Sequence, residues 1–452
     1  MMKSIRLLRL LLIFAVVLTL THASVGSSVA QTRSSTSTSS SRHDGVWTWS
    51  WSEDGNRVEL IVRGKVEFND DYTAVRSISP DGSLQVRERR AGVSRRLEIE
   101  PSSGGGLRVY YYVDGQSRPY DSEAQAWFGR ILTEAVTQSG LDAGPRAQKI
   151  LRERGASGLL DEISRLRSDH VKGLYYHELF TSGALDAQTT EHALTQVARE
   201  MKSDHYKTQV LKKTTGLQHD PATRAAYLRA ADTIGSDHYR ADVLSTLLRQ
   251  RDLSKDNLLA ALQGVAGMSS DHYKAQVLLK VAETSLDDQA VRAAYADAAA
   301  TIGSDHYREQ ALSALLKQPN LSRENMSLAL RSAAGIPSDH YKTQVLLKAL
   351  DGQLDPAAVQ SYIESASKIG SDHYQAQALS ALLKRGDLSP ESVLTALKAV
   401  AGISSDHYKA QVLLTTAARY AADKAVRDAV VEAARSIKSD YERGRVLSAI
   451  FK

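Results

Sequence analysis

S-D-H-Y-K-A-Q-V-L, residues 270–278, is the stretch on which the fold turns, because it returns along the chain at a nearly fixed step. The tetrad Ser-Asp-His-Tyr, or a close variant, opens at Ser168, Ser203, Ser236, Ser270, Ser304, Ser338, Ser371, Ser405 and Ser439, at intervals of 33–35 residues. Nine copies at one period mark a solenoid, in which each unit buries its apolar stripe only by stacking on its neighbours. In the copy at Ser270, Tyr273, Val277, Leu278 and Val281 recur at helical spacing and form an inward stripe. Glycine often precedes the tetrad, as in T-I-G-S from Thr233 and K-I-G-S from Lys368, where an outgoing helix is expected to end on a left-handed residue. The serine then caps the next helix, and Asp in its first turn complements the positive end of the helix dipole. A second set of caps, Asp220-Pro221, Ser254, Ser322, Asp355-Pro356 and Ser389-Pro390, opens a second helix, with proline where its missing N–H costs nothing. The fold class is therefore mostly α, a right-handed α-solenoid of about 34-residue helix pairs (HEAT/TPR-like) over 168–452, preceded by a small antiparallel β domain.

A longer period is superimposed. Copies at Ser203, Ser270, Ser338 and Ser405 continue as S-D-H-Y-K-x-Q-V-L, whereas those at Ser236, Ser304 and Ser371 lead into L-S-x-L-L and then D-L-S or N-L-S. The true unit is a pair of repeats, 67 or 68 residues long, which predicts two alternating interfaces. The final copy, S-D-Y-E-R-G-R-V-L-S-A-I-F-K, stops after one helix and reads as a C-terminal cap. All nine units are expected to stack, with the motif tyrosines mostly buried.

Toward the N-terminus the periodicity changes. Residues 121–167 carry helical spacing (Ala124, Trp127, Phe128, Ile131; Leu159, Leu160, Ile163, Leu166) and read as connecting helices. Residues 44–120 show short alternating runs broken by E-D-G-N, S-P-D-G and G-G-G, the pattern of a small antiparallel sheet with one wet face. Arg89, Arg90, Arg95 and Arg96 flank a hairpin turn, neutralised by Glu88, Glu98 and Glu100. Residues 31–43, Q-T-R-S-S-T-S-T-S-S-S-R-H, have no apolar period and read as a Ser/Thr-rich linker. Residues 1–30 read as a signal peptide: Lys3, Arg6 and Arg9 precede an apolar run, Leu10–Leu20, that is too short to span a bilayer, and cleavage is expected after Ala30 or Ala23. An uncleaved N-terminal segment is the alternative, and the one route to a membrane.

Charge narrows the partners. The net charge of +5 comes entirely from the five basic residues before Asp44; the remainder carries 52 basic and 52 acidic residues. A neutral body argues against nucleic acid. With no cysteine, disulfides, cysteine-based metal sites and lipoprotein attachment are excluded.

The repeated polar positions are the candidate site. His205, His238, His272, His306, His340, His373 and His407, with His170 at the first tetrad, form one ladder; Gln209, Gln276, Gln310, Gln344, Gln377 and Gln411 lie four residues on, one helical turn along the same face. The two ladders read either as a groove that grips the backbone of an extended peptide, or as a stacking device in which Asp and His of adjacent repeats hydrogen-bond each other. Catalysis is not expected: consecutive Ser, Asp and His point about 100° apart on a helix and cannot converge. Nor is a metal, since equivalent histidines on helices ~8–10 Å apart cannot share an ion. His177-Glu178 begins like a zinc-protease helix, but the second ligand position is Thr181. Trp47, Trp49 and Trp51 project from one side of one strand, either as the core of a small sheet or as an exposed aromatic stripe for a polysaccharide.

From Val66 to Lys452 the chain resembles uncharacterised exported bacterial proteins with serial S-D-H-Y or S-D-Y repeats behind a small sheet domain. The resemblance is carried by S-P-D-G-S-L-Q-V-R-E-R-R-A-G-V-S-R-R-L-E-I, Y-Y-V-D-G-Q-S-R-P-Y-D and the repeats. Similar segments accompany antibiotic-sensor-type membrane metallopeptidases, whose membrane spans and zinc motif this sequence lacks, so the resemblance implies a sensing or scaffolding module and no active site. The sequence thus points to a non-enzymatic exported scaffold or protein/peptide-binding protein of the bacterial cell envelope, in the periplasm or outside the cell, with no cofactor. The alternative is a polysaccharide-binding envelope protein using the tryptophans.

Overall fold

The computed structural model describes residues 36–183, 185–214, 220–250, 253–284, 286–319 and 321–451. The signal peptide and its cleavage sites lie outside the described residues. The chain divides into two units, one running to Glu67 and resuming over Ser77–Ala124, the other comprising Phe68–Arg76 and everything from Gln125.

The first unit is built on a seven-stranded antiparallel sheet. Its strands are β1 (Thr36–His43), β2 (Val46–Glu53), β3 (Asn56–Arg63), β6 (Ser83–Arg90), β7 (Val93–Pro101), β8 (Leu107–Val113) and β9 (Gln116–Arg118), in that spatial order; β4 (Val66–Phe68) and β5 (Val75–Ile78) pair separately. Four hairpins turn on two residues that both have positive φ, Asp44-Gly45, Asp54-Gly55, Ala91-Gly92 and Asp114-Gly115. That geometry matches the twist of the flanking strands, so these dipeptides fix the register. Trp49, Leu60, Val86, Leu97 and Tyr111 consequently lie in one row across five strands, and all five are buried. The linker expected over residues 31–43 is corrected for its second half: Thr36–His43 pairs residue for residue with β2. The Asp44-Gly45 turn supplies the closure, and pairing through the backbone needs no apolar alternation.

The second unit is helical. After α1 (Ser122–Ser139) and α2 (Ala143–Arg165), which breaks at Gly155 (φ 68°), the tetrads organise everything else. Each tetrad serine is followed at once by a helix: α3 (Asp169–Thr181), α5 (Asp204–Lys213), α7 (Asp237–Leu247), α9 (Asp271–Thr284), α11 (Asp305–Leu316), α13 (Asp339–Ala349), α15 (Asp372–Leu383), α17 (Asp406–Tyr420) and α19 (Asp440–Ile450). Between them run α4 (Ala187–Glu200), α6 (Pro221–Asp232), α8 (Lys255–Ala266), α10 (Gln289–Ala300), α12 (Arg323–Ala334), α14 (Pro356–Ser367), α16 (Pro390–Val400) and α18 (Lys424–Ala434). From α3 onward, even-numbered helices pack on even and odd on odd, giving, among the described residues, eight helix pairs and a terminal single helix, with one continuous core from Ala143 to Ile450. Among the described residues the repeats contain no strand.

The second set of caps stands as read: Asp220, Ser254, Ser322, Asp355 and Ser389 each accept an N–H of the first turn they open, with Pro221, Pro356 and Pro390 at the start. The paired period has a structural basis in these helices. Seven residues after the cap the side chain alternates: Ala193, Tyr227, Ala261, Tyr295, Ala329, Tyr362, Ala396. All seven are buried, and each tyrosine donates its hydroxyl to a backbone carbonyl of the following helix: Val243 at 3.1 Å, Ala311 at 3.1 Å and Ala378 at 2.9 Å. Large and small side chains thus interdigitate along the stack.

Candidate functional site

The aspartate of each tetrad does not hydrogen-bond histidine. In every tetrad but the last, its carboxylate accepts the backbone N–H of the serine that opens the next tetrad. Asp169 holds Ser203 at 2.6 Å, Asp204 holds Ser236 at 2.8 Å, Asp237 holds Ser270 at 2.7 Å and Asp271 holds Ser304 at 2.8 Å. Asp305, Asp339, Asp372 and Asp406 hold Ser338, Ser371, Ser405 and Ser439, each at 2.8 Å. In most cases the preceding residue donates as well, as Gly303 does to Asp271 at 3.0 Å. The amide of Ser439 keeps the Asp406 carboxyl below its usual range.

This ladder corrects two local expectations. The serine hydroxyl makes no cap bond at Ser203, Ser236, Ser304, Ser338, Ser371 or Ser405; the helix start is fixed instead by the serine's own N–H on the neighbouring carboxylate. Gly235, Gly303 and Gly370 are not left-handed. Only at Gly303 is the approach close, where a Cβ would lie 3.2 Å from Asp271 Oδ2; at Gly235 and Gly370 it would stand 3.5 and 3.6 Å from the nearest aspartate oxygen, an ordinary contact.

Basic residues at the fifth position are also consumed inside the stack. Lys172, Lys207, Lys274, Lys342 and Lys409 are buried, and the first four reach backbone carbonyls where an even-numbered helix ends, such as Thr301 at 2.9 Å and Lys368 at 3.0 Å. Burial pulls the pKa of Lys207 down. In two of the intervening copies arginine does this work, Arg240 bonding the carbonyl of Ile234 and Arg308 those of Ile302 and Gly335, while the third carries a buried Gln375. A cation at a helix C-terminus satisfies orphan carbonyls and the dipole together.

What remains outward is the third position. His205, His238, His272, His306, His340, His373 and His407 are exposed, and His170 is half-buried. Each of these exposed rings except the last packs against two tyrosines, its own neighbour and that of the next repeat. His272 lies 5.0 Å from Tyr273 and 5.5 Å from Tyr307; Tyr307 in turn lies 5.3 Å from His306, which lies 5.6 Å from Tyr341. The pattern runs unbroken from His170 and Tyr206 through Tyr239, Tyr273, Tyr307, Tyr341 and Tyr374 to Tyr408 and His407, mostly edge to face or tilted. The tyrosines, expected to be mostly buried, are half-buried, because one side of each ring forms the floor between successive histidines. Hydroxyl and imidazole meet directly at Tyr239 with His205 Nδ1, 3.3 Å, and at Tyr307 with His272 Nδ1, 3.2 Å. In the last unit Glu442 occupies the tyrosine's place and takes His407 Nδ1 at 3.1 Å, a contact that lowers the pKa of the glutamate.

The glutamines lie where helical spacing put them. The side-chain amides of Gln209, Gln310 and Gln344 meet Nε2 of His205, His306 and His340 at 2.9, 3.1 and 3.0 Å; Gln276, Gln377 and Gln411 are exposed at the equivalent positions. The tryptophans do not form an exposed stripe: Trp49 is fully buried, Trp47 and Trp51 are half-buried, and Arg90 lies over the Trp51 ring at 5.6 Å. Their register opposite Val62, Leu60 and Val58 puts them on the core side of the sheet.

No protein-family model matches the chain, and no curated protein is similar to it. Among solved structures, the crystal structure of an engineered protein is similar over 74% of this chain and 97% of its own, at 15% identity and a TM-score of 0.30.

Proposed function

We propose that the chain is a non-enzymatic, exported scaffold that binds a protein or peptide in the bacterial cell envelope, through the surface of its solenoid, as a member of the S-D-H-Y repeat proteins it resembles. One observation carries the reading. Of the repeated polar positions, Asp and the basic fifth residue are turned into the stack and bonded to backbone, whereas the His rings, although they pack on the tyrosine of the next repeat, stay exposed in seven successive units, with most of the Gln amides exposed beside them. Binding surfaces on solenoids are extended and repetitive in this way. Export is supported by Lys3, Arg6 and Arg9 ahead of the apolar run Leu10–Leu20. The tryptophan reading draws no support from a fully buried Trp49.

The test is crosslinking of the chain in its native envelope, beside a variant carrying His272→Ala, His306→Ala and His340→Ala. Partners captured by the wild type and lost by the folded variant are the expected result. Identical capture by both would remove the edge from the function.

A further inference from the structure

Resting on that reading, we propose that the His–Tyr–Gln edge seats a polyproline-II segment, a neutral proline-rich peptide laid across the repeats with one turn on each rung.

Period is the first argument. Adjacent helices in a stack stand ~8–10 Å apart, and the ring contacts of 5.0–5.8 Å that zigzag from rung to rung along the file from His205 to Tyr374 agree with that step. A polyproline-II helix has three residues per turn at ~3.1 Å each, so it presents an equivalent residue about every 9 Å. A β-strand repeats a side about every 6.8 Å and falls out of step with the ladder after one rung. Only the first ligand can offer the same group to His272, His306, His340 and His373 in turn.

Chemistry is the second. Polyproline-II makes no internal hydrogen bonds, so its carbonyls are bare acceptors. The edge supplies donors in register, namely the exposed amides of Gln276 and Gln377 and the imidazole N–H groups along the ladder. Between successive histidines a half-buried tyrosine ring forms an aromatic floor, the surface on which proline rings dock in other polyproline-binding grooves.

Charge is the third. The eight tetrad aspartates of α3 to α17 are held by backbone N–H groups of the next repeat, and the lysines at the fifth position are buried. The groups left exposed along the rungs from His205 to Tyr408 are imidazole, phenol and amide, with no carboxylate or ammonium among them, which suits a proline-rich chain better than an acidic or basic one.

The experiment is fluorescence-anisotropy titration of the purified full chain against labelled oligoproline peptides of six, nine, twelve and fifteen residues, at neutral pH. A Gly-Ser peptide of fifteen residues serves as the flexible comparison. The dissociation constant is expected to fall about threefold for each three residues added, as each triplet engages one further rung. Binding of the fifteen-residue oligoproline should weaken at least tenfold in the His272→Ala, His306→Ala and His340→Ala variant, whose fold is checked by circular dichroism. Affinity that ignores length, equals that of the Gly-Ser peptide, or survives the triple substitution overturns the proposal. If oligoproline fails while the same variant still loses its envelope partners, the edge remains the binding surface and only the polyproline-II ligand is wrong.

Discussion

Replacing Asp271 by Ala removes one rung of the carboxylate ladder, and the structure sets what that should cost. Two backbone amides at the start of α11, Gly303 and Ser304, lose an ionised acceptor at 3.0 and 2.8 Å. Hydrogen bonds to a charged partner contribute about 1.5–3 kcal/mol each when buried. Here Gly303 is exposed and its amide can turn to water, while Ser304 is half-buried. A combined loss of about 2 kcal/mol follows, near the upper end of what removal of a helix N-cap costs. Asp440 is the internal control. It occupies the same tetrad position at the start of α19, but its side chain is 90% exposed. Asp440→Ala should therefore remove only the interaction with the helix dipole and an exposed ion pair to Arg443, together about 0.5–1 kcal/mol. Urea unfolding followed by circular dichroism measures both, and the Asp271 variant should also broaden the transition, because a weakened interface in a stacked array lets its two halves unfold separately. Equal midpoints for the two variants would refute the ladder and return these aspartates to a purely local role.

Three further outcomes follow from the same geometry. Tyr295→Phe should destabilise by about 1 kcal/mol through loss of the buried bond to the Ala311 carbonyl, and Tyr295→Ala by about 3–5 kcal/mol through the cavity it leaves, both read from urea midpoints. Deleting residues 270–337 brings Ala261 beside Tyr362 and preserves the large–small alternation, whereas deleting 270–303 sets Ala261 against Ala329; the shorter deletion should melt at the lower temperature, and equal melting would make the alternation irrelevant to stability. Asp186, Asp220 and Asp288 have depressed pKa values through their own first-turn hydrogen bonds, so their stabilisation is complete above the unfolded carboxyl value near 3.9 and is lost as pH falls through the lower folded value. Acid titration of stability should show this loss, and changing all three to Asn, which keeps an acceptor without the proton linkage, should flatten the curve in that window.

Much of this architecture is legible in the sequence, because helix starts, caps and apolar stripes are local patterns. Ser168 through Ser439 mark the start of every odd-numbered helix from α3 to α19, and Pro221, Pro356 and Pro390 mark three of the even ones. The partners of the tetrad are not legible in the same way. Asp271 bonds a backbone N–H some 33 residues away, and every residue but proline carries that group, so no residue type betrays it. Histidine and aspartate side by side invite a pairing of their side chains that the helix geometry does not make. The burial of Lys274 and Lys342 has a signal, lysine recurring at the fifth position of every second copy from Ser203 to Ser405, yet lysine is so seldom buried that the residue reads as surface. Tyr227, Tyr295 and Tyr362 were likewise visible at spacings of 68 and 67 residues, hidden among other apolar positions of their helices. The strand at Thr36–His43 was missed because serine and threonine carry no hydrophobic alternation from which to read a face.

The carboxylate ladder has a direction. Every rung runs from the aspartate of one unit to the amide of the unit after it, never the reverse. A helix is hardest to begin, since its first turn orders several residues for a single hydrogen bond. A unit already in place offers a fixed acceptor at the spot where the next helix must start, so each finished repeat is a template for its successor and not for its predecessor. Assembly should then advance from α3 toward α19, the same order in which a ribosome delivers the chain. Pulse-labelled hydrogen exchange during refolding should show amide protection spreading along the stack in that sense, and protection spreading from α19 backward would contradict it.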